Sequence, residues 1–168
     1  LQEKGVVEGD RVGTLAWNTH RHMEIWYAVS GQGAICHTVN PRLFPDQIEF
    51  IVNHAQDKVL FVDLTFAPLL DTLLPKMPSV KAVIVMTDKD NMPDTSNWNV
   101  YGIHCYEEFL EGGAGEFDWP EFDERTCSSL CYTSGTTGDP KGVTYTHRGN
   151  LLHAWSVMAG ECFNIRES

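Results

Sequence analysis

Between residues 130 and 142 the chain reads Leu130-Cys131-Tyr132-Thr133-Ser134-Gly135-Thr136-Thr137-Gly138-Asp139-Pro140-Lys141-Gly142. Four Ser/Thr hydroxyls, three glycines and a lysine thus follow an apolar start. Glycine lets the backbone approach an anion closely and take up conformations in which successive N–H groups converge on the same oxygens. Thr133, Ser134, Thr136 and Thr137 can donate to phosphate oxygens, and Lys141 brings a mobile point charge suited to a polyphosphate. A negative charge beside such a ligand is costly, so Asp139 is expected to point outward.

Spacing excludes the Walker-type loop, which needs Gly-Lys-Ser/Thr followed at once by a helix. Here Pro140 stands where the second glycine belongs, and Gly142 follows the lysine. The next residues, Val143-Thr144-Tyr145-Thr146, are β-branched and aromatic, so they read as a strand. The motif is therefore a strand–loop–strand turn. A ligand-free hairpin is the plainer reading, but turn chemistry asks for one or two special residues, not four hydroxyls beside a lysine.

On these residues the chain resembles the phosphate-loop signature of the acyl-adenylate-forming superfamily of AMP-binding enzymes. The resemblance extends through Gly9-Asp10-Arg11-Val12, Leu15-Ala16-Trp17-Asn18, Cys36-His37-Thr38-Val39-Asn40-Pro41-Arg42 and Tyr145-Thr146-His147-Arg148. Those flanks look most like bacterial medium- and long-chain fatty-acid–CoA ligases and methylthio-propionate–CoA ligases. The resemblance implies a two-step reaction in fatty acid metabolism, with ATP, Mg²⁺ and coenzyme A as cosubstrates and cofactors. A carboxylic acid attacks the α-phosphate of ATP, and the thiol of CoA then takes the acyl group from the adenylate. It also implies that Thr133, Ser134, Gly135, Thr136, Thr137, Gly138, Asp139, Pro140 and Lys141 contact the nucleotide. Thr133, through its hydroxyl on Mg²⁺, and Lys141, neutralising the β- and γ-phosphates, are the implied catalytic pair. Two alternatives stay open: an aryl- or amino-acid adenylating enzyme of the same superfamily, and a noncatalytic α/β fragment with an empty loop.

The resemblance further implies a partial N-terminal domain, with residues 1–86 forming βαβ units, 87–126 an irregular linker region, and 127–168 the phosphate loop and following helix. The Thr-Glu motif, the ribose-binding Asp, the hinge and the C-terminal adenylation Lys of the family are absent from the 168 residues. The chain is read as an internal fragment, inactive alone. A homodimer of the full-length parent belongs to the same expectation.

A net charge of −11 argues against nucleic acid or an anionic membrane as a general partner and favours small-molecule substrates at a locally positive site. Five cysteines at scattered positions suggest reduced thiols and a cytoplasmic setting. Cys127 and Cys131 lie four apart, unlike a C-x-x-C pair, and read as packing residues. No transmembrane run is visible in the sequence.

Alternation of strand and helix must position the loop. Strands are expected over residues 11–16, 34–39, 58–62 and 81–86, with a helix from the Thr19 cap to Ser30 and others over 45–53 and 68–74. In the first helix Met23, Trp26 and Tyr27 are expected to form the core stripe, with Ile25 and Val29 at its edge. Repeated βαβ crossovers imply an α/β fold, an open and mostly parallel doubly wound sheet with helices on both faces. Residues 87–98 read as a polar surface loop, 106–110 as a short helix, 128–133 as the strand presenting the loop, and a last helix begins at His147 or Asn150 and runs to Gly160.

Other motifs yield blander readings. Five carboxylates among aromatics in residues 116–124 read as a solvated linker with anchoring aromatics, because one contiguous run cannot place two groups across a substrate. His20 and His22 point apart on a helix and read as surface histidines. Gly31-Gln32-Gly33 precedes a strand instead of following one, so it is a helix stop and not a dinucleotide fingerprint. His147 and Asn150 are expected to brace the turn or to touch ligand, and Trp17-Asn18 to serve structure.

Overall fold

A computed structural model describes residues 1–100, 102–111, 113, 115–133 and 139–158. Seven strands form one sheet: β1 (Arg11–Leu15), β2 (Ile35–Val39), β3 (Val59–Val62), β4 (Ala82–Val85), β5 (Gly102–Cys105), β6 (Cys127–Thr133) and β7 (Lys141–Thr146). Their spatial order is β5-β4-β3-β1-β2-β6-β7. All neighbours are parallel except β6 and β7, which form an antiparallel hairpin. Helices α1 (His20–Gly31), α2 (Pro45–Ala55), α3 (Leu70–Leu73), α4 (Tyr106–Glu111) and α5 (His147–Met158) connect or follow them.

The sheet is doubly wound because strand residues alternate between its two faces and both faces are apolar. Leu15, Val39, Leu60, Val62, Val83 and Val85 pack on one face against Ile48, Ile51 and Val52 of α2 and Leu70 and Leu73 of α3. Val12, Cys36, Val59, Phe61, Ala82 and Ile84 pack on the other against Ile25 and Val29 of α1 and Tyr106 of α4. Thr19 starts α1 by accepting the His22 N–H, and Gln47 starts α2 by accepting the Phe44 N–H on its side-chain oxygen.

Helix α1 turns its other face to the sheet than expected. Ile25 and Val29 are buried, whereas Met23 and Tyr27 are each 64% exposed. Trp26, expected in the stripe, is half-buried and packs against the same core as Ile25 and Val29, whereas the 23/27 row lies two positions from the 25/29 row and so nearly opposite around the axis. Burying one row exposes the other, and the β-branched row takes the sheet. His22 also departs from the surface reading: its Nε2 lies 3.0 Å from Thr14 Oγ1, and burial holds its pKa below the ordinary value.

The expected helix over 68–74 is divided among a six-residue 3₁₀ helix at Leu64–Leu69, α3, and a three-residue 3₁₀ turn at Leu74–Lys76. Pro68 and Pro75 each remove a backbone donor, which accounts for the short turns. Strand β5, unexpected from sequence, is a four-residue edge strand containing Gly102 and His104, too short for a periodicity signal. Within the loop at 87–98, Trp98 is buried and donates its indole N–H to Asp71 Oδ1 at 2.8 Å. In the acidic stretch, Trp119 lies against Gly31 and Phe122 against Gly33, so the aromatics anchor it. The described part of α5 ends at Met158, and its expected continuation to Gly160 lies outside the described residues. Among the described residues no helix is long and apolar enough to cross a membrane.

Candidate functional site

Strand β6 runs parallel to β2, with Cys36 opposite Ser129, His37 opposite Leu130 and Thr38 opposite Cys131. The hairpin therefore opens at the carboxyl edge of the sheet, the edge at which open α/β sheets receive ligands. Thr133 and Lys141 are register partners at the mouth of the hairpin, and both are exposed. The Thr133 hydroxyl donates to the Lys141 carbonyl at 3.4 Å, a long bond that an incoming ligand can replace. Asp139 is exposed. The expected contacts Ser134, Gly135, Thr136, Thr137 and Gly138 lie outside the described residues.

The far end of the hairpin is braced by backbone and side-chain bonds. The Ser128 hydroxyl donates to the Tyr145 carbonyl at 3.0 Å, and Asn150 Nδ2 donates to the Ser128 oxygen at 2.9 Å. The His147 N–H bonds the Thr126 carbonyl at 3.1 Å, and the Arg148 N–H bonds the Glu124 carbonyl at 2.8 Å. The His147 ring packs on Phe122 with centroids 4.8 Å apart, and burial lowers its pKa. Asn150 thus braces the hairpin, as does the backbone of His147; both sit at the β7–α5 junction rather than at the mouth.

Beneath the mouth lies a group of side chains that sequence reasoning missed. His37 Nδ1 and Asp57 Oδ2 are 2.7 Å apart, and both side chains are 0% exposed. Burial pushes the Asp57 carboxyl above its ordinary range, while the His37 hydrogen bond pulls the other way. Gly13 makes room for the pair, since a Cβ there would stand 2.9 Å from Asp57 Oδ2. The Tyr132 ring lies 5.2 Å from that of His37, and its hydroxyl is 2.6 Å from His54 Nδ1 on α2. A usable signal was present: a histidine inside a parallel strand covered on both faces needs a partner.

Two hollows open at the same carboxyl edge. One of about 690 Å³ is lined by Asn18, Thr19, His22, Met23, Trp26 and Thr38 among others. The second, about 270 Å³, lies between Trp17, Asn18 and the turn at Asn40, Pro41 and Arg42. Trp17 also packs on Phe66 at 5.0 Å, the structural role expected of it.

Among the described residues no group of three or more His, Cys, Asp or Glu side chains is placed to hold a metal ion. The accessible Thr133 hydroxyl is a hard oxygen donor of the kind Mg²⁺ accepts when phosphates and water complete its shell. Cys127 and Cys131 are half-buried and unbridged, and Cys131 Sγ lies 3.2 Å from Thr38 Oγ1.

A family model described as AMP-binding enzyme matches residues 1–167. The chain is 48% identical over 165 residues to a 3-methylmercaptopropionyl-CoA ligase of Ruegeria pomeroyi, covering 98% of this chain and 30% of that protein. It is 43% identical over 165 residues to a medium-chain-fatty-acid–CoA ligase of Ectopseudomonas oleovorans, again covering 98% and 30%. Among solved structures, an anthranilate CoA ligase in complex with anthranoyl-AMP superposes with a TM-score of 0.81 at 25% identity, covering 93% of this chain and 29% of that one. The chain thus spans about three tenths of the length of the curated relatives it matches.

Proposed function

This chain belongs to the AMP-binding enzyme family, and on that footing we propose that it is the nucleotide-gripping part of an ATP-dependent acid–CoA ligase acting on a fatty or methylthio-alkanoic acid. The observation that carries the reading is the hairpin mouth, where Thr133 and Lys141 are paired and exposed at the carboxyl edge of a doubly wound sheet. Likeness to the Ruegeria and Ectopseudomonas ligases supports the choice of acid.

In the first half-reaction a carboxylate oxygen bonds to the α-phosphorus of ATP. The bond from that phosphorus to the bridging oxygen breaks, and pyrophosphate leaves with the electron pair. Charge builds on the departing β- and γ-oxygens, so groups already aimed at them lower the barrier by electrostatics. Lys141 supplies a full positive charge there, and residues 134–138 supply hydroxyl and backbone donors around the phosphates. Mg²⁺, when bound, neutralises phosphate charge, and Thr133 is the residue that would hold it. In the second half-reaction the CoA thiolate attacks the acyl carbon and AMP leaves. The incomplete N-terminal domain, the cytoplasmic location and a homodimer of the full-length ligase belong to the same proposal.

Acid-dependent exchange of labelled pyrophosphate into ATP by the full-length ligase tests it. Exchange stimulated by medium-chain and methylthio-alkanoic acids is the expected result. Stimulation only by aryl or amino acids reassigns the acid pocket, and no stimulation by any acid overturns the reading.

A further inference from the structure

Strand β6 ends in Tyr132 and Thr133, and these neighbours face opposite sides of the sheet. Thr133 is exposed at the mouth, while Tyr132 packs at the margin of the α2-side core. Three contacts fix the Tyr132 ring. Its hydroxyl meets His54 Nδ1 at 2.6 Å, the His37 ring lies tilted at 51° to it with centroids 5.2 Å apart, and the His54 ring meets it edge-on at 5.7 Å and 86°. Each contact is itself backed: His37 is held by Asp57 at 2.7 Å, and His54 is stacked on Phe50 at 5.5 Å and 20°.

Across the hairpin, Gly142 is the register partner of Tyr132. A Cβ at Gly142 would stand 3.2 Å from both Tyr132 Cζ and Leu130 Cδ1 and 3.4 Å from the Tyr132 hydroxyl, so the glycine eases the fit of the ring against the facing strand. Both chains of the hairpin are thereby fitted around one side chain, at the step immediately before the Thr133–Lys141 pair.

We propose that Tyr132 and His54, backed by the His37–Asp57 pair, are positioning residues that clamp the base of the phosphate loop to α2 and so set where Thr133 and Lys141 meet the nucleotide. None of the four need touch ATP. The clamp matters because groups that act by electrostatic preorganisation lose their effect when displaced by a fraction of an ångström to an ångström. This inference rests on the ligase reading given above and adds to it the residues that hold the loop in register.

The test uses the full-length ligase with Tyr132→Phe, which removes the hydroxyl and keeps the ring, His54→Gln, and the double variant. KM for Mg-ATP and kcat in acid-dependent pyrophosphate exchange are measured beside thioester formation from supplied acyl-adenylate. Each single variant is expected to raise KM for ATP roughly fivefold, the size of one lost hydrogen bond. Thioester formation stays unchanged, and the double variant is no worse than either single one. Unaltered KM and kcat with only a lowered melting temperature would reduce the clamp to a packing contact and overturn the proposal. Additive losses in the double variant would do the same, since the two groups would then act separately. Absence of exchange in the unmutated ligase removes the ligase reading, and this inference with it. Robust exchange left intact by Tyr132→Phe removes this inference alone.

Discussion

The parallel body of the sheet and the β6–β7 hairpin are built from similar residues to opposite ends. In β3 and β4 every residue is buried, whereas in β7 five of six are exposed. Val59, Leu60, Phe61 and Val62 find apolar partners on both faces because crossovers place α1 and α4 on one side and α2 and α3 on the other. Val143 and Tyr145 carry the same β-branched and aromatic chemistry but lie open on an edge strand. Within these 168 residues the contrast is one of burial: apolar contacts are concentrated in the body, and the exposed hydroxyl and lysine of the mouth stand where the chain buries least.

If that division holds, Phe61→Ala should be the most damaging truncation. Phe61 is fully buried and makes edge-on contacts with Tyr106 at 6.3 Å and Phe109 at 6.2 Å. Removing the ring should cost about 4 kcal/mol, read from urea denaturation of the full-length protein. A loss below about 1 kcal/mol would show that the body is not the seat of stability.

Cys36 sharpens the comparison by pH. Burial in the body pushes its thiol from 9.0 to about 12. The folded state keeps its proton where the unfolded state has lost it, so this contribution is intact below pH 9 and declines as pH rises toward 12. The expected decline is roughly 1.4 kcal/mol per pH unit in that window. It is measured as the difference between the pH–stability curves of the parent protein and Cys36→Ala. Parallel curves would mean that the thiol ionises freely in the fold.

On the hairpin, Val143→Thr in this 168-residue chain should change stability by no more than about 0.5 kcal/mol, because the side chain is 38% exposed on the last strand of its sheet. A cost comparable to that of Phe61→Ala would erase the distinction between the two regions.

The body was legible in the sequence because it depends on local pattern. Short apolar runs at residues 58–62 and 81–86 admit no other reading once they alternate with helices. The hairpin was legible too, from Pro140 and the β-branched run after Gly142. Illegible parts depend on distance in sequence. His37 and Asp57 are twenty residues apart, and only the β2–α2–β3 crossover brings them together. The close fit of Gly142 against Leu130 and the Tyr132 ring arises across the hairpin, which no local rule contains. The buried face of α1 was illegible for a different reason: the sequence offers two apolar rows, and only the sheet decides between 25/29 and 23/27.

On the ligase reading proposed above, Lys141 at the hairpin mouth serves adenylyl transfer and not the thiol step. Lys141→Met in the full-length ligase addresses it directly, with acid-dependent pyrophosphate release and thioester formation from supplied acyl-adenylate measured on the same preparation. A fall of roughly 100-fold or more in pyrophosphate release, with thioester formation nearly unchanged, is the predicted result. Equal losses in both half-reactions would contradict it.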